Sequence, residues 1–298
     1  MFEWNPYLLC GISLITGFMI HFSRGLYSKT RPDNPLNLWG FNLYQNLFSL
    51  ITVFLIFLLS DRLCGFSFFS VVLGSLMGVA NTFTLYASLR AYRVGPFSYT
   101  TVVVSLSVII PTLSGLFYGE KISLIQYVGL VLMILCLALS PESKSDGKKA
   151  STEWFLWTMV ATISSGMVGI FQKVHQGSEV HRSEMAVFLI SCFISSIIIC
   201  VIFYCIESVN LHKKIVLHRL DFLQVLGGFS NAASHSIIIY LVGVLPAIVI
   251  FPIVNLIPML LLILSSLLIF KERLSLRRWI GVLIGLVSAF LLSGVLSF

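Results

Sequence analysis

Residues 74–96, GSLMGVANTFTLYASLRAYRVGP, and residues 224–246, QVLGGFSNAASHSIIIYLVGVLP, share a skeleton at a constant offset of 150 residues. Gly78-x-x-Asn81 faces Gly228-x-x-Asn231, and Pro96 faces Pro246. Each stretch belongs to an apolar run of roughly 16 to 25 residues, near the ~20 that a helix needs to cross a bilayer. In hydrocarbon every backbone amide needs an internal partner, and these runs show no polar/apolar alternation of period two. They are therefore expected to be membrane helices rather than barrel strands.

The correspondence extends outward. Glu3-Trp4 recurs as Glu153-Trp154, and after a two-residue slip Gly-Glu-Lys at 119–121 faces Lys-Glu-Arg at 271–273 and Gly129 faces Gly281. Single matches are cheap, but their order and offset mark a duplication. Apolar runs between polar punctuation predict spans near 6–23, 38–60, 67–89, 97–118, 123–140, 154–173, 185–206, 221–242, 246–269 and 279–297. The fold class expected is an all-α membrane protein of ten transmembrane helices in two inverted five-helix repeats. The first repeat covers 1–140 and the second 154–298, joined by a polar linker, PESKSDGKKASTE, over 141–153. Five is an odd number, so the second copy enters from the opposite face, the inverted plan of many secondary transporters.

Composition agrees. Of 298 residues, 57% are hydrophobic and 10% charged, and the mean hydropathy is +0.97, which places most of the chain in lipid. The net charge of +7 comes from basic residues scattered through short loops, which argues against nucleic acid as a partner. Fifteen of the nineteen Lys and Arg fall on one side of the predicted topology, leaving Arg62, Lys121, Lys173 and Arg182 on the other. The positive-inside rule then puts both termini outside the cytoplasm. The six cysteines show no CxxC pair or metal-ligand spacing and read as packing residues. The N-terminus lacks the basic region of a cleaved signal and is expected to lead into a retained first span.

Two further features carry a resemblance. The fourth span of each half runs into a Glu-bearing turn, LFYGEKIS (116–123) and IFKERLS (269–275), and the fifth opens with a glycine, QYVG (126–129) and RWIG (278–281). This arrangement resembles the drug/metabolite transporter superfamily, EamA-like branch, over nearly the whole chain. The resemblance implies alternating access through a central cavity lined by spans 1–4 and 6–9, with spans 5 and 10 outside, and cytoplasmic termini. On that last point it disagrees with the charge count. It says little about the solute, because the superfamily carries amino acids, sugars, nucleotide sugars, cations and drugs. Glu120 and Glu272 are expected to cap helices or pair with Lys121 and Arg273.

All twelve acids fall in loops or at span ends. The first span has no carboxylate to alternate between proton and cationic drug, as in small multidrug resistance relatives. Polar residues inside spans are costly in lipid and normally face a cavity or a partner helix. The substrate-binding candidates are His21, Asn42, Asn81, Tyr86, Gln172, Lys173, Asn231, His235 and Asn255. Asn81 and Asn231 are repeat-equivalent, so inversion would bring them to matching depths on opposite walls; interhelical packing bonds are the competing reading. Asn231 and His235 share a helix face at i and i+4. His235 titrates in a range suited to a proton-linked step, and a structural histidine fits equally. Lys173 suits either an anionic group or snorkelling to the interface. Pro111, Pro252 and Pro258 are expected to bend spans 4 and 9.

No HExxH, GxSxG or phosphate-binding loop is present, so no catalytic residue, metal or cofactor is expected and an enzyme is disfavoured. The short loops disfavour a scaffold. The expected function is a secondary transporter of a small polar metabolite, an amino acid or similar, in the plasma (bacterial inner) membrane. The alternative is a sugar, nucleotide-sugar or drug transporter of the same superfamily. The expected partners are the small-molecule substrate and the lipid bilayer, and one chain holding both halves is expected to work as a monomer.

Overall fold

A computed structural model describes residues 6–32, 34–59, 65–114, 123–139, 152–211, 220–245, 247–269, 271 and 276–292. The linker over 141–151, the Glu120 and Glu272 turns, Glu3, Trp4 and Pro246 lie outside these residues.

The described residues contain helices and no strand. In chain order they are α1 (Pro6–Thr30), α2 (Pro35–Leu59), α3 (Phe68–Val94), α4 (Phe97–Ser105), a 3-10 turn (Leu106–Val108), α5 (Ile109–Ser114), α6 (Leu124–Leu139), α7 (Thr152–Gly177), α8 (Met185–Asn210), α9 (Phe222–Val244), α10 (Ala247–Leu268) and α11 (Leu276–Leu292). Six of these, α1, α2, α3, α7, α8 and α9, are long and apolar enough to cross a membrane. Shorter apolar stretches occupy Phe97–Pro111, Pro258–Leu268 and Trp279–Ser288. Many large apolar side chains face outward, Phe54, Leu58, Ile198 and Leu283 among them, each about half exposed. A water-soluble surface would not carry so many, whereas lipid favours them.

Local chemistry sets the helix ends. Ser67 Oγ accepts from Ser70 N–H at 3.1 Å at the start of α3. At the start of α9, Asp221 Oδ1 accepts from Leu223 N–H at 3.1 Å, and Gln224 Oε1 accepts from Asp221 N–H at 2.8 Å, a reciprocal cap that satisfies two orphan donors. The fourth predicted span is broken. Pro111 has no N–H and its ring crowds the carbonyl four residues earlier, and the chain tightens into the 3-10 turn just before it. In contrast, α10 runs unbroken through Pro252 and Pro258.

The helix contacts have a two-fold pattern. α1 packs on α9 as α7 packs on α3, and α2 packs on α9 as α8 packs on α3. α1 meets α10 as α7 meets α5, while α2 meets α8, α4 meets α10 and α6 meets α11. Exchanging the two halves maps this set onto itself.

The paired glycines explain how closely the halves approach. Ser196 Oγ donates to the Gly78 carbonyl at 2.9 Å, and Ser49 Oγ donates to the Gly228 carbonyl at 3.0 Å. A Cβ on Gly78 would fall 2.2 Å from the Cys192 carbonyl oxygen, and one on Gly228 would fall 2.6 Å from the Gln45 carbonyl oxygen. Only a bare backbone permits these contacts, and close contact with interhelical hydrogen bonding is what binds helices in lipid. Around Gly78 lies the largest apolar cluster, with Val53, Phe57, Met77, Phe188, Cys192 and Phe193 buried together. The peripheral pair is tied by Ser288 Oγ, which donates to the Gly129 carbonyl at 2.7 Å.

Candidate functional site

Between the halves lies a cavity of about 120 Å³, walled by α1, α3, the 3-10 turn and α5, α7, α9 and α10. At roughly 10–15 Å³ per water it has room for several waters or a small solute. The broken fourth span contributes Ser107, Val108 and Pro111. Irregular backbone at membrane depth is tolerated where it lines such a space.

Six of the nine candidates reach this cavity: His21 from α1, Asn81 from α3, Gln172 from α7, Asn231 and His235 from α9, and Asn255 from α10. Asn81 comes from α3 and Asn231 from α9, helices that hold corresponding places in the contact pattern. Asn81 Nδ2 donates to Asn46 Oδ1 at 3.1 Å, Asn46 Nδ2 donates to Asn42 Oδ1 at 2.6 Å, and Asn42 Nδ2 donates to the Thr82 carbonyl at 3.2 Å. On the other wall Asn231 Nδ2 donates to Ser49 Oγ at 3.3 Å. Gln172 Nε2 donates to His235 Nδ1 at 3.1 Å, His21 Nδ1 and Tyr92 Oη share a hydrogen bond of 3.1 Å, and Ser107 Oγ donates to Ser165 Oγ at 3.0 Å.

The other three candidates lie elsewhere. Asn42 is fully buried behind Asn46. Tyr86 stacks on Trp39 with ring centroids 4.0 Å apart and accepts a hydrogen bond from Arg90 Nε at 3.2 Å. Lys173 is buried on α7 beside Gln172, outside the cavity lining.

Arg24 is the site residue that sequence reasoning missed. The first span is predicted to stop at residue 23, which leaves Arg24 as a loop charge, yet α1 continues to Thr30 and Arg24 lines the cavity with 3% of its surface exposed. The polar end of α1 is held in place by other helices. Ser28 Oγ donates to the Leu89 carbonyl at 2.7 Å, and Lys29 Nζ donates to the Gly95 carbonyl at 2.9 Å. One signal was available: Gly17, His21 and Arg24 fall at i, i+4 and i+7, one face of a helix. Arg24 Nη2 donates to Asn231 Oδ1 at 3.3 Å, while its Nε has no hydrogen-bond partner among the described residues. Among the described residues no Asp or Glu lines the cavity.

Polar contacts join helices at both ends of the bundle. At one, Arg31 Nε donates to Asp221 Oδ2 at 2.8 Å, joining the end of α1 to the start of α9. At the other, Glu184, just before α8, accepts from Ser67 and from Ser70, the latter at 2.5 Å. The Ser67 hydroxyl, then that of Ser70, hold the Glu184 carboxyl below the ordinary glutamate range. His175 Nε2 lies 3.2 Å from Ser70 Oγ and extends this cluster to α7.

Residues 152–294 match the EamA-like transporter family, which belongs to the drug/metabolite transporter superfamily. No curated protein matches the chain. One solved crystal structure of a protein covers 94% of this chain and 95% of its own, with 12% identity and a TM-score of 0.58, a likeness of fold. Together with the six apolar helices, the family match makes this an integral membrane protein.

Proposed function

We propose, from a second half that is an EamA-like transporter domain, that this chain is a secondary transporter moving a small polar metabolite by alternating access. The observation that carries the reading is the cavity between the halves, polar on walls contributed by equivalent helices and enclosed in a bundle with a lipid-facing apolar exterior. Members of the EamA family are transporters.

The two-fold helix contacts and the paired Gly-x-x-Asn motifs support ten spans in two inverted repeats, 1–140 and 154–298. In this scheme α4, the 3-10 turn and α5 form the fourth span, and α6 and α11 are the peripheral fifth and tenth. Rocking one half against the other would open the Arg31–Asp221 end and the Glu184–Ser67 end in turn. The bias of basic loops favours the Arg31–Asp221 end on the cytoplasmic side, and the family picture of cytoplasmic termini favours the reverse. Since both halves are in one chain, a monomer suffices.

An amino acid or similar metabolite is favoured over a cation, because the lining has amides, hydroxyls, imidazoles and a guanidinium but no carboxylate. Thermal stabilisation of the purified protein in detergent tests this, since a ligand that binds the folded state raises its melting temperature. Amino acids or related metabolites are expected to stabilise. A shift with sugars or nucleotides alone would favour the second reading, and a shift with organic cations alone would overturn the first.

A further inference from the structure

We propose that the transported solute carries an oxyanion, a carboxylate or a phosphate, and that Arg24 is its anchor. This rests on the transporter reading of the cavity and names the chemical class of what the cavity takes.

Arg24 is 3% exposed and lines the cavity, where its Nη2 donates to Asn231 Oδ1 at 3.3 Å. Its Nε–H has no acceptor among the described residues. A guanidinium is ionised under all ordinary conditions and presents its N–H groups as a planar fork that matches two oxygens of a carboxylate or phosphate. Buried charges are normally paired, because removal from water is costly. The ion pairs Arg31–Asp221 and His181–Glu184 lie at the ends of the bundle and involve neither Arg24 nor the cavity. Among the described residues no acid lies beside this buried cation, and the space in front of it is polar and hollow. An incoming oxyanion supplies the missing counter-charge. Asn231, fixed by Ser49 on one side and Arg24 on the other, sets the direction of the fork. Asn81, Gln172, Asn255 and the hydroxyls on the walls are neutral and, with the imidazoles of His21 and His235, suit the rest of a small polar molecule.

The test uses matched pairs on the wild-type protein in detergent. L-amino acids are compared with their carboxamides, lactate with lactamide, and glycerol 3-phosphate with glycerol, each by thermal shift. At least one acid or phosphate is expected to raise the melting temperature by several degrees where its neutral partner does not. Which pair responds separates carboxylate from phosphate. Arg24→Gln is expected to abolish the shift and Arg24→Lys to retain part of it. Equal stabilisation by neutral partners, no shift with any anion, or a full shift in Arg24→Gln would each overturn the proposal. If Arg24→Gln does not fold, the wild-type pairs and Arg24→Lys still decide. Flux into proteoliposomes separates the two readings: sugar or cation flux without anion binding would remove the anion site and leave the transporter, while anion binding at Arg24 without flux would do the reverse.

Discussion

Arg24 Nη2 lies 3.3 Å from Asn231 Oδ1, and this one hydrogen bond joins α1 to α9 across 207 residues of chain at the wall of the cavity. Asn231 passes the link on to Ser49 of α2 at 3.3 Å, so three helices from two halves meet at one amide.

Replacing that amide with an isosteric hydrocarbon tests its part in transport. Asn231→Leu removes a hydrogen bond to a charged group, worth about 1.5–3 kcal/mol, and leaves Arg24 without a direction. Flux in proteoliposomes is expected to fall by roughly tenfold or more, since about 1.4 kcal/mol is a factor of ten, at near wild-type membrane yield. Wild-type flux in this variant would remove Asn231 from the site.

Gly78→Ala and Gly228→Ala address the seams between halves. Each added Cβ would press against a backbone carbonyl, at 2.2 Å and 2.6 Å respectively, and neither carbonyl can rotate away inside a helix. Overpacking of this kind typically costs about 1–3 kcal/mol. Both variants are expected to melt below wild type, with Gly78→Ala the lower of the two; an unchanged melting temperature in Gly78→Ala would show that α3 and α8 are not so tightly seated.

Gln172 and His235 share a hydrogen bond of 3.1 Å between α7 and α9. Gln172→Leu and His235→Phe are each expected to weaken ligand stabilisation, and the double variant is expected to lose less than the two single losses added, because the second change removes a bond already broken. Strict additivity would mean that the two side chains act independently.

Glu184 gives the stability a pH dependence with a definite sign. Its carboxyl is held below the ordinary range by Ser67 and Ser70, so its contribution is fully present above the unfolded value of about 4.3 and is lost as pH falls through the lowered folded value. Glu184→Gln is therefore expected to melt below wild type at pH 7, with the gap narrowing below about pH 4. A gap that persists unchanged in acid would assign the loss to packing instead of ionisation.

Much of the helical framework was legible because crossing a bilayer is a local requirement. A run such as MAVFLISCFISSIIICVIFYCI (185–206) is long and apolar enough to cross a membrane whatever surrounds it, and Pro111 breaks its span for reasons contained in its own ring and missing N–H. The Gly-x-x-Asn motif is shared by the Asn81 and Asn231 stretches in the sequence itself.

Which side chains face the cavity was another matter. Lys173 follows Gln172 by one residue, about 100° round the helix, and lies outside the lining that Gln172 reaches. That rotation is fixed by how α7 seats against α3, through contacts with the opposite half. Tyr86 is likewise held by Trp39 in an aromatic stack. Arg24 shows the limit most clearly. By composition SRGLYSKT is a polar tail, yet it continues the helix, with Ser28 and Lys29 bonded to the carbonyls of residues 89 and 95 and Arg24 brought into the wall. Sequence determined what must lie in the membrane, because transfer from water is a property of each segment alone. Tertiary structure decided which polar groups meet, because helix length and rotation are settled by partners far away in the chain.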